Sequence, residues 1–302
     1  MQRFRFATAL LLTALLLLTG CTSLRHGGGA AATEESGKTV LAAAIQAESI
    51  LGAPEKNRLR FAGLVREAAG KGAKIIVLPE TAITGYMSPD LKTTWHIPGR
   101  TLTEGLSGMH PEKYAETVPG PSTFFFGKLA AAYHIYITVP LLERDPQTGS
   151  YYNASVLVGP DGAILLHYRK RNPWPYAETG WASQGDLGNV YTDTPYGRLS
   201  LMICYDINYE PARIRALHID HVLYSIAWVD IKKSDWFPAG LPALAKEYDF
   251  NIIGANWAIP AGLNPEWVDN GQSVIIDRAG ILLAHAGATS GEQILYACLP
   301  IP

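Results

Sequence analysis

The chain holds 302 residues, 48% hydrophobic and 17% charged, with a net charge of -2 at pH 7. That length can bury a full core in one large domain or two small ones. The charge balance speaks against a nucleic-acid binder working through basic excess and against an acidic disordered tail.

Taken in chain order, residues 1–20 read as a signal peptide. Arg3 and Arg5 precede an apolar run from Ala7 to Leu18, long enough for a signal core but short of the roughly 20 residues that span a bilayer. The run closes on Leu18-Thr19-Gly20-Cys21, which resembles a bacterial lipobox. That resemblance implies cleavage before Cys21 and a diacylglyceryl group on its thiol. The mature protein would then be held to a membrane surface without spanning it. Thr22, where an inner-membrane signal carries Asp, directs the expectation to the periplasmic face of the outer membrane in a bacterial cell envelope. The alternative is an ordinary secretory peptide that happens to contain a cysteine. Residues 21–38 combine the lipidated cysteine with a small, polar, glycine-rich flexible tether. Only Cys204 and Cys298 then remain, too few for a disulfide framework, although an exported location permits one bridge.

Residues 39–302 read as a single domain. TVLAAAIQA (39–47) is a strand. Asn57 is placed to cap a helix whose Phe61, Leu64, Val65 and Ala68 share one face and which stops near Gly70 and Gly72. KIIVLPE (74–80) has the continuous apolar character of a strand buried on both faces. A helix over 121–133 and a strand over 135–143 follow. Residues 151–170 form a hairpin about Pro160-Asp161-Gly162. RLSLMICYD (198–206) is a strand, and Glu210-Pro211 opens a helix through Leu217. HVLYSIAWV (221–229) is a strand, and Trp236 to Tyr248 a helix with Pro238 and Pro242 near its start. Segments 251–258, 272–277, 281–286 and 294–299 close the chain as strands. Such alternation implies a mixed-sheet α/β domain with helices over the sheet faces.

Glu80, Lys170 and Cys204 all fall at the C-terminal ends of apolar strands, where ligand sites collect in open α/β sheets. A carboxylate can take a thiol proton, and an ammonium stabilises developing negative charge. A thiolate attacking an amide or nitrile carbon would shed charge onto oxygen or nitrogen. Lys170 and the backbone N–H of Tyr205 could receive it as an oxyanion hole. The resulting thioester is hydrolysed by water, with no metal or organic cofactor. Singly, Cys204 could be a packing thiol, Glu80 a turn cap, and Lys170 one charge in the solvated run Arg169-Lys170-Arg171; the set favours chemistry. Tyr86 and Trp228 are candidate walls of a substrate pocket, with plain packing as the alternative. Asp206 either orients the loop or is an ordinary turn residue. Cys298 reads as core. His218 and His221 lack the further ligands that zinc requires. Asn153, in Asn-Ala-Ser, has the form of a glycosylation acceptor, a match that means little in a bacterial lipoprotein.

Three stretches carry a resemblance. IIVLPETAITGY, HYRKRNPWPYAETGW and LMICYDINYEP resemble, in this order, the glutamate, lysine and cysteine motifs of the carbon–nitrogen hydrolases of the nitrilase superfamily. The likeness runs from about residue 39 to 299. It implies an α-β-β-α sandwich with mixed sheets, a Glu80-Lys170-Cys204 triad, and at Glu178 a second active-site glutamate that positions substrate or water. It also implies a small-molecule amide substrate and a homodimer or larger assembly. CYDINYEPARIRALHIDHVLYSIAWVD is most similar to the vanin and biotinidase group, which cleaves amides of pantetheine or biotin. Arg169, where that group has His, departs from it. The run around Trp174 and Glu178–Trp181 is similar to aliphatic amidases instead. The expectation is therefore an exported, lipid-anchored amidase acting through a cysteine thioester. A nitrilase, an amide-forming acyltransferase and a lipid-anchored binding protein without turnover are its rivals.

Overall fold

Successive residues of Thr39–Gln46 (β1) point into different cores: Val40, Ala42 and Ala44 into one, Ala43 and Ile45 into the other. Burial on both faces is why this strand and the KIIVLPE segment read as unbroken apolar runs rather than alternating ones. The computed structural model describes residues 38–87, 110–175, 177–228, 235–258, 271–287 and 291–302. In it, β1 joins a six-stranded sheet in the order Gln293–Pro300 (β12), β1, Ile75–Val77 (β2), Tyr136–Arg144 (β3), Tyr151–Val158 (β4) and Ile164–Arg169 (β5). A second six-stranded sheet runs Leu282–His285 (β11), Val274–Ile276 (β10), Asn251–Ala255 (β9), His221–Ser225 (β8), Gly197–Ile203 (β7) and Tyr191–Thr194 (β6). Both are mixed: β1, β2 and β3 are parallel, as are β7, β8 and β9, and antiparallel strands flank each set.

Helices Pro54–Gly70 (α1) and Pro121–Tyr133 (α2) cover the first sheet, setting Phe61, Val65, Phe126 and Leu129 against Ile76, Ile137 and Val156. Pro211–Ala216 (α3) and Leu241–Tyr248 (α4) bring Ile214, Leu241 and Ala245 to the second. Between the sheets, Leu157, Leu166 and Tyr168 meet Leu201, Leu223 and Ile253. The expected α-β-β-α sandwich is the fold the chain adopts.

Several local expectations are corrected. Helix α1 starts at Pro54, whose fixed φ suits a first helical position, and Asn57 lies inside its first turn. Instead of capping, the Asn57 side chain accepts from Ile50 N–H at 2.9 Å and donates to the Ile50 and Ile83 carbonyls, each at 2.8 Å. The strand expected over 198–206 ends at Ile203, because Cys204 takes a left-handed φ of 39° and begins a 3-10 turn, Cys204–Asn208. The helix expected from Trp236 opens as one π-helical turn, Trp236–Gly240, before α4. Strand β6 adds to the expected elements: Tyr-Thr-Asp-Thr on a half-exposed edge carries no apolar run. Among the described residues no helix is long and apolar enough to cross a membrane. The signal peptide 1–20, Cys21 and all of the tether but Lys38 lie outside the described residues.

Candidate active site

Three loop segments carry the predicted residues together, and each is fixed by its backbone. After β2, Leu78 N–H donates to Thr138 Oγ1 at 2.8 Å, and the Leu78 carbonyl accepts from Ser225 Oγ at 2.9 Å. Glu80 N–H then donates to the Ile226 carbonyl at 3.2 Å, and its own carbonyl accepts the Trp257 indole N–H at 2.6 Å. Lys170 follows β5. Its N–H donates to the Asn153 carbonyl on β4 at 2.7 Å, and its carbonyl accepts from Gly185 at 2.8 Å. A Cβ at position 185 would stand 2.1 Å from the Arg169 carbonyl oxygen, so only glycine can approach the lysine this closely. Cys204 sits at the sheet edge of the turn after β7, its carbonyl accepting from Tyr224 OH at 2.8 Å. A non-glycine residue at positive φ is strained, and such strain concentrates at functional positions.

Of the basic run around Lys170, Arg169 and Lys170 are buried and Arg171 is half-exposed. Arg169 is buried, paired with Glu143, with Asp145 at 3.2 Å and with Asp186 at 3.0 Å, and lies 3.9 Å over the Tyr152 ring. Lys170 itself is 1% exposed, and Glu80 and Glu178 are fully buried. The lysine Nζ donates to Glu80 Oε1 at 2.7 Å and to Glu178 Oε1 at 2.8 Å. Asn153 Nδ2 donates to the same two oxygens, at 2.7 and 2.9 Å. Tyr86 OH adds a bond to Glu178 Oε1 at 3.1 Å, and Trp174 N–H donates to Glu178 Oε2 at 2.7 Å. Both oxygens of Glu178 are thus held, whereas Glu80 Oε2 has no hydrogen-bond partner among the described residues.

Two carboxylates and one ammonium removed from water carry one negative charge too many for a low-dielectric site. Burial, reinforced by the charge of Glu178 and opposed by Lys170, raises the Glu80 pKa to about 8. Burial works against the Lys170 charge, but the two carboxylates outweigh it and raise its pKa. The Cys204 thiol is pushed up by burial and by Glu80, with Lys170 partly offsetting both. At rest the site therefore holds a neutral thiol, 3.9 Å from the Ala227 carbonyl, beside a carboxyl group whose proton affinity has been drawn toward that of a thiol. A general base works best with a pKa near the operating pH, and the raised value places Glu80 there.

Asp206 orients the loop. Its Oδ2 accepts from Tyr168 OH at 2.7 Å, and its Oδ1 accepts from Asn172 N–H at 2.8 Å and Asn172 Nδ2 at 2.9 Å. It thereby ties the lysine strand and loop to the cysteine turn, and burial raises its pKa to about 6. A cleft of 210 Å³ opens over the thiol, lined by Trp174, Cys204, Tyr205, Ala227 and Trp228. Trp228 is one of its lining residues. Tyr86 is not among the described lining residues; it is buried, and its phenol donates a hydrogen bond to Glu178. A larger hollow of 520 Å³ beside Ala212, His218, Asp249 and Arg278 contains none of these groups.

Sequence reasoning missed Asn153 as a site residue. It is 1% exposed with its amide engaged by two carboxylates, so it cannot present itself as a glycosylation acceptor. Its only legible signal was the Asn-Ala-Ser form, which points elsewhere. His221 is a core residue, its ring between the Tyr196 carbonyl at 3.0 Å and Asn251 Nδ2 at 3.1 Å. Among the described residues no group of three or more His, Cys, Asp or Glu is placed to hold a metal ion. Cys298 lies partly buried on β12.

The chain is similar to known proteins. The profile of the carbon-nitrogen hydrolase family matches residues 41–301. A formamidase of Bacillus cereus (strain Q1) is 32% identical over 171 residues, 56% of this chain and 46% of the formamidase. The chain thus spans about half the length of the formamidases it matches. The omega-amidase NIT2 of Bos taurus is 28% identical over 255 residues, 80% of this chain and 82% of the bovine protein. An amidase from Nesterenkonia sp. has the same fold, with a TM-score of 0.68 at 20% identity over 89% of this chain and 93% of its own. So does XC1258 from Xanthomonas campestris, a CN-hydrolase superfamily protein with an arsenic adduct in its active site, with a TM-score of 0.69 at 19% identity over 86% and 90% of the two chains. With a family match that takes in both sheets and every residue of the buried cluster, the chain belongs to the carbon–nitrogen hydrolase family.

Proposed function

We propose that the protein is an amidase that hydrolyses small-molecule amides through a thioester on Cys204. The observation that carries this reading is the fully buried Glu80-Lys170-Glu178 cluster, bridged within 2.8 Å by one ammonium and electrostatically coupled to a thiol that lines a cleft. Ionised Glu80 takes the thiol proton as sulfur attacks the amide carbon, and the carbonyl electrons move to oxygen. Two N–H bonds of Lys170 are engaged by carboxylates, and the third, with the Tyr205 backbone N–H, receives the oxyanion. Such a donor contributes about 3–4 kcal/mol to the transition state. On collapse the C–N bond breaks and Glu80 returns its proton to the leaving nitrogen. Water, deprotonated by Glu80 and oriented by Glu178, then attacks the thioester and releases the acid. The thiolate recovers its proton from Glu80.

The relatives named as formamidase and omega-amidase support an amide substrate. The similarity of residues 204–230 to the vanin and biotinidase group adds amides of pantetheine and biotin to the candidates. The test is ammonia or amine release by the full-length protein from these and from short aliphatic amides, with matched nitriles alongside. Amides are expected to turn over. Because the active form has Glu80 ionised, log kcat/KM should climb as pH rises and level off above a pKa near 8. Release from nitriles alone would make the enzyme a nitrilase, and preferential transfer to an added amine would make it an acyltransferase. No turnover of any of them favours the binding protein.

The N-terminal segment completes the proposal: Cys21 carries the lipid that holds the enzyme to the periplasmic face of the outer membrane. Expression in a bacterial host should yield membrane-bound protein whose N-terminal peptide starts at acylated Cys21. Cys21→Ser should release the protein to the soluble fraction. An unmodified Cys21 in soluble wild-type protein, or a Cys21 joined to Cys298, would contradict this, because a thioether sulfur cannot also form a disulfide.

A further inference from the structure

Two indoles line the cleft over Cys204, and the Trp228 ring is held in place. Asn256 grips the Trp228 backbone from both sides, accepting its N–H at 3.0 Å and donating to its carbonyl at 2.8 Å. The Trp228 ring stacks on Trp236, with centroids 5.7 Å apart and planes 21° apart, and meets Phe237 edge to face at 6.4 Å and 80°. Turning Trp228 away would forfeit both contacts, so it forms a fixed wall rather than an adaptable one. Trp174 also lines the cleft, and its backbone N–H is tied to Glu178 at 2.7 Å. The Trp228 indole and the Trp174 backbone therefore keep a set position relative to the reacting groups.

The chemistry says which part of a substrate they meet. The leaving nitrogen must face Glu80, which returns its proton, so the acyl group is the part that extends along the cleft. A volume of 210 Å³ holds about seven waters at roughly 30 Å³ each, room for one ring or a short chain. An indole presents a negative face, and the described lining residues include no cation. A carboxylate placed there would exchange its hydration for an apolar surface with no cation among the described lining residues to pair with. A flat apolar group would gain ring contacts and expel water.

We propose that this cleft selects neutral amides whose acyl group carries an aromatic or other flat apolar end, and rejects amides whose acyl chain ends in a carboxylate. This deepens the amidase reading and rests on it, yet binding can be separated from turnover. The experiment titrates full-length Cys204→Ala protein with phenylacetamide and with succinamate, following tryptophan fluorescence, and compares wild-type kcat/KM for the same pair. Phenylacetamide is expected to bind at least about tenfold more tightly and to be the better substrate. In Trp228→Ala, and more mildly in Trp228→Phe, the kcat/KM ratio of phenylacetamide to acetamide should fall by about tenfold. Equal or tighter binding of succinamate would overturn the proposal, as would a ratio that Trp228 substitutions leave unmoved in folded protein. Preferential binding of phenylacetamide without hydrolysis of any amide would overturn the amidase reading while upholding the cleft's selectivity. Hydrolysis without preference would do the reverse.

Discussion

Cys204→Ala and Cys204→Ser are expected to lower amide turnover by about 10⁴-fold or more, on the scale of losing a covalent nucleophile. Alanine has nothing to attack with. Serine keeps the shape, but its hydroxyl is far less acidic than a thiol. Glu80, tuned to about 8, can share a proton with sulfur but cannot deprotonate an alcohol to any useful extent. The fold should survive both changes. The side chain lies at the cleft floor, and its one described hydrogen bond is a weak 3.9 Å contact to the Ala227 carbonyl. Steady-state assays paired with thermal melts check this. A folded variant that retains more than about a hundredth of wild-type kcat/KM would remove Cys204 from the reaction.

Lys170→Met should cost stability as well as activity. It leaves Glu80 and Glu178, both fully buried, sharing the Asn153 amide without a cation between them. Removing one partner of a buried ion pair costs about 3–5 kcal/mol because the remaining charge stays desolvated. The loss has a definite pH sign. In the wild type the Glu80 pKa is already raised from an ordinary carboxylate value to about 8, so the folded state binds more protons than the unfolded one between those values. Stability from this group is full at low pH and declines as pH rises through that window. Without the ammonium the raised pKa moves higher still, and the decline steepens and extends. Urea unfolding at about pH 6 and about pH 9 should show a gap between wild type and Lys170→Met that widens at the higher pH. Adding Glu178→Gln should narrow the gap without restoring activity. A gap independent of pH would mean that the carboxylates are not held together by Lys170.

Strand order and site differ in how far the sequence revealed them. β1 and β2 could be read because apolar residues sit on both faces of each, and α1 because Phe61, Val65 and Ala68 repeat along one face. Glu80, Lys170 and Cys204 stood out because an ionisable group ending an apolar strand demands a partner. Asn153 gave no such signal. Its position on β4 opposite Leu142 is ordinary, and its role arises only when the hairpin carries it under two carboxylates from other loops. The left-handed φ of Cys204 and the early end of β7 were equally invisible, since cysteine has no turn propensity to betray them. Tyr86 was legible as a neighbour of the glutamate motif, but its hydrogen bond to Glu178, far along the chain, was not.

The most direct measurement is mass spectrometry of the full-length protein quenched with acid during amide turnover. The peptide that contains Cys204 is expected to gain the mass of the acyl group and to lose it on treatment with hydroxylamine. Turnover with no adduct on that peptide, or with the acyl group found on another residue, would contradict a Cys204 thioester.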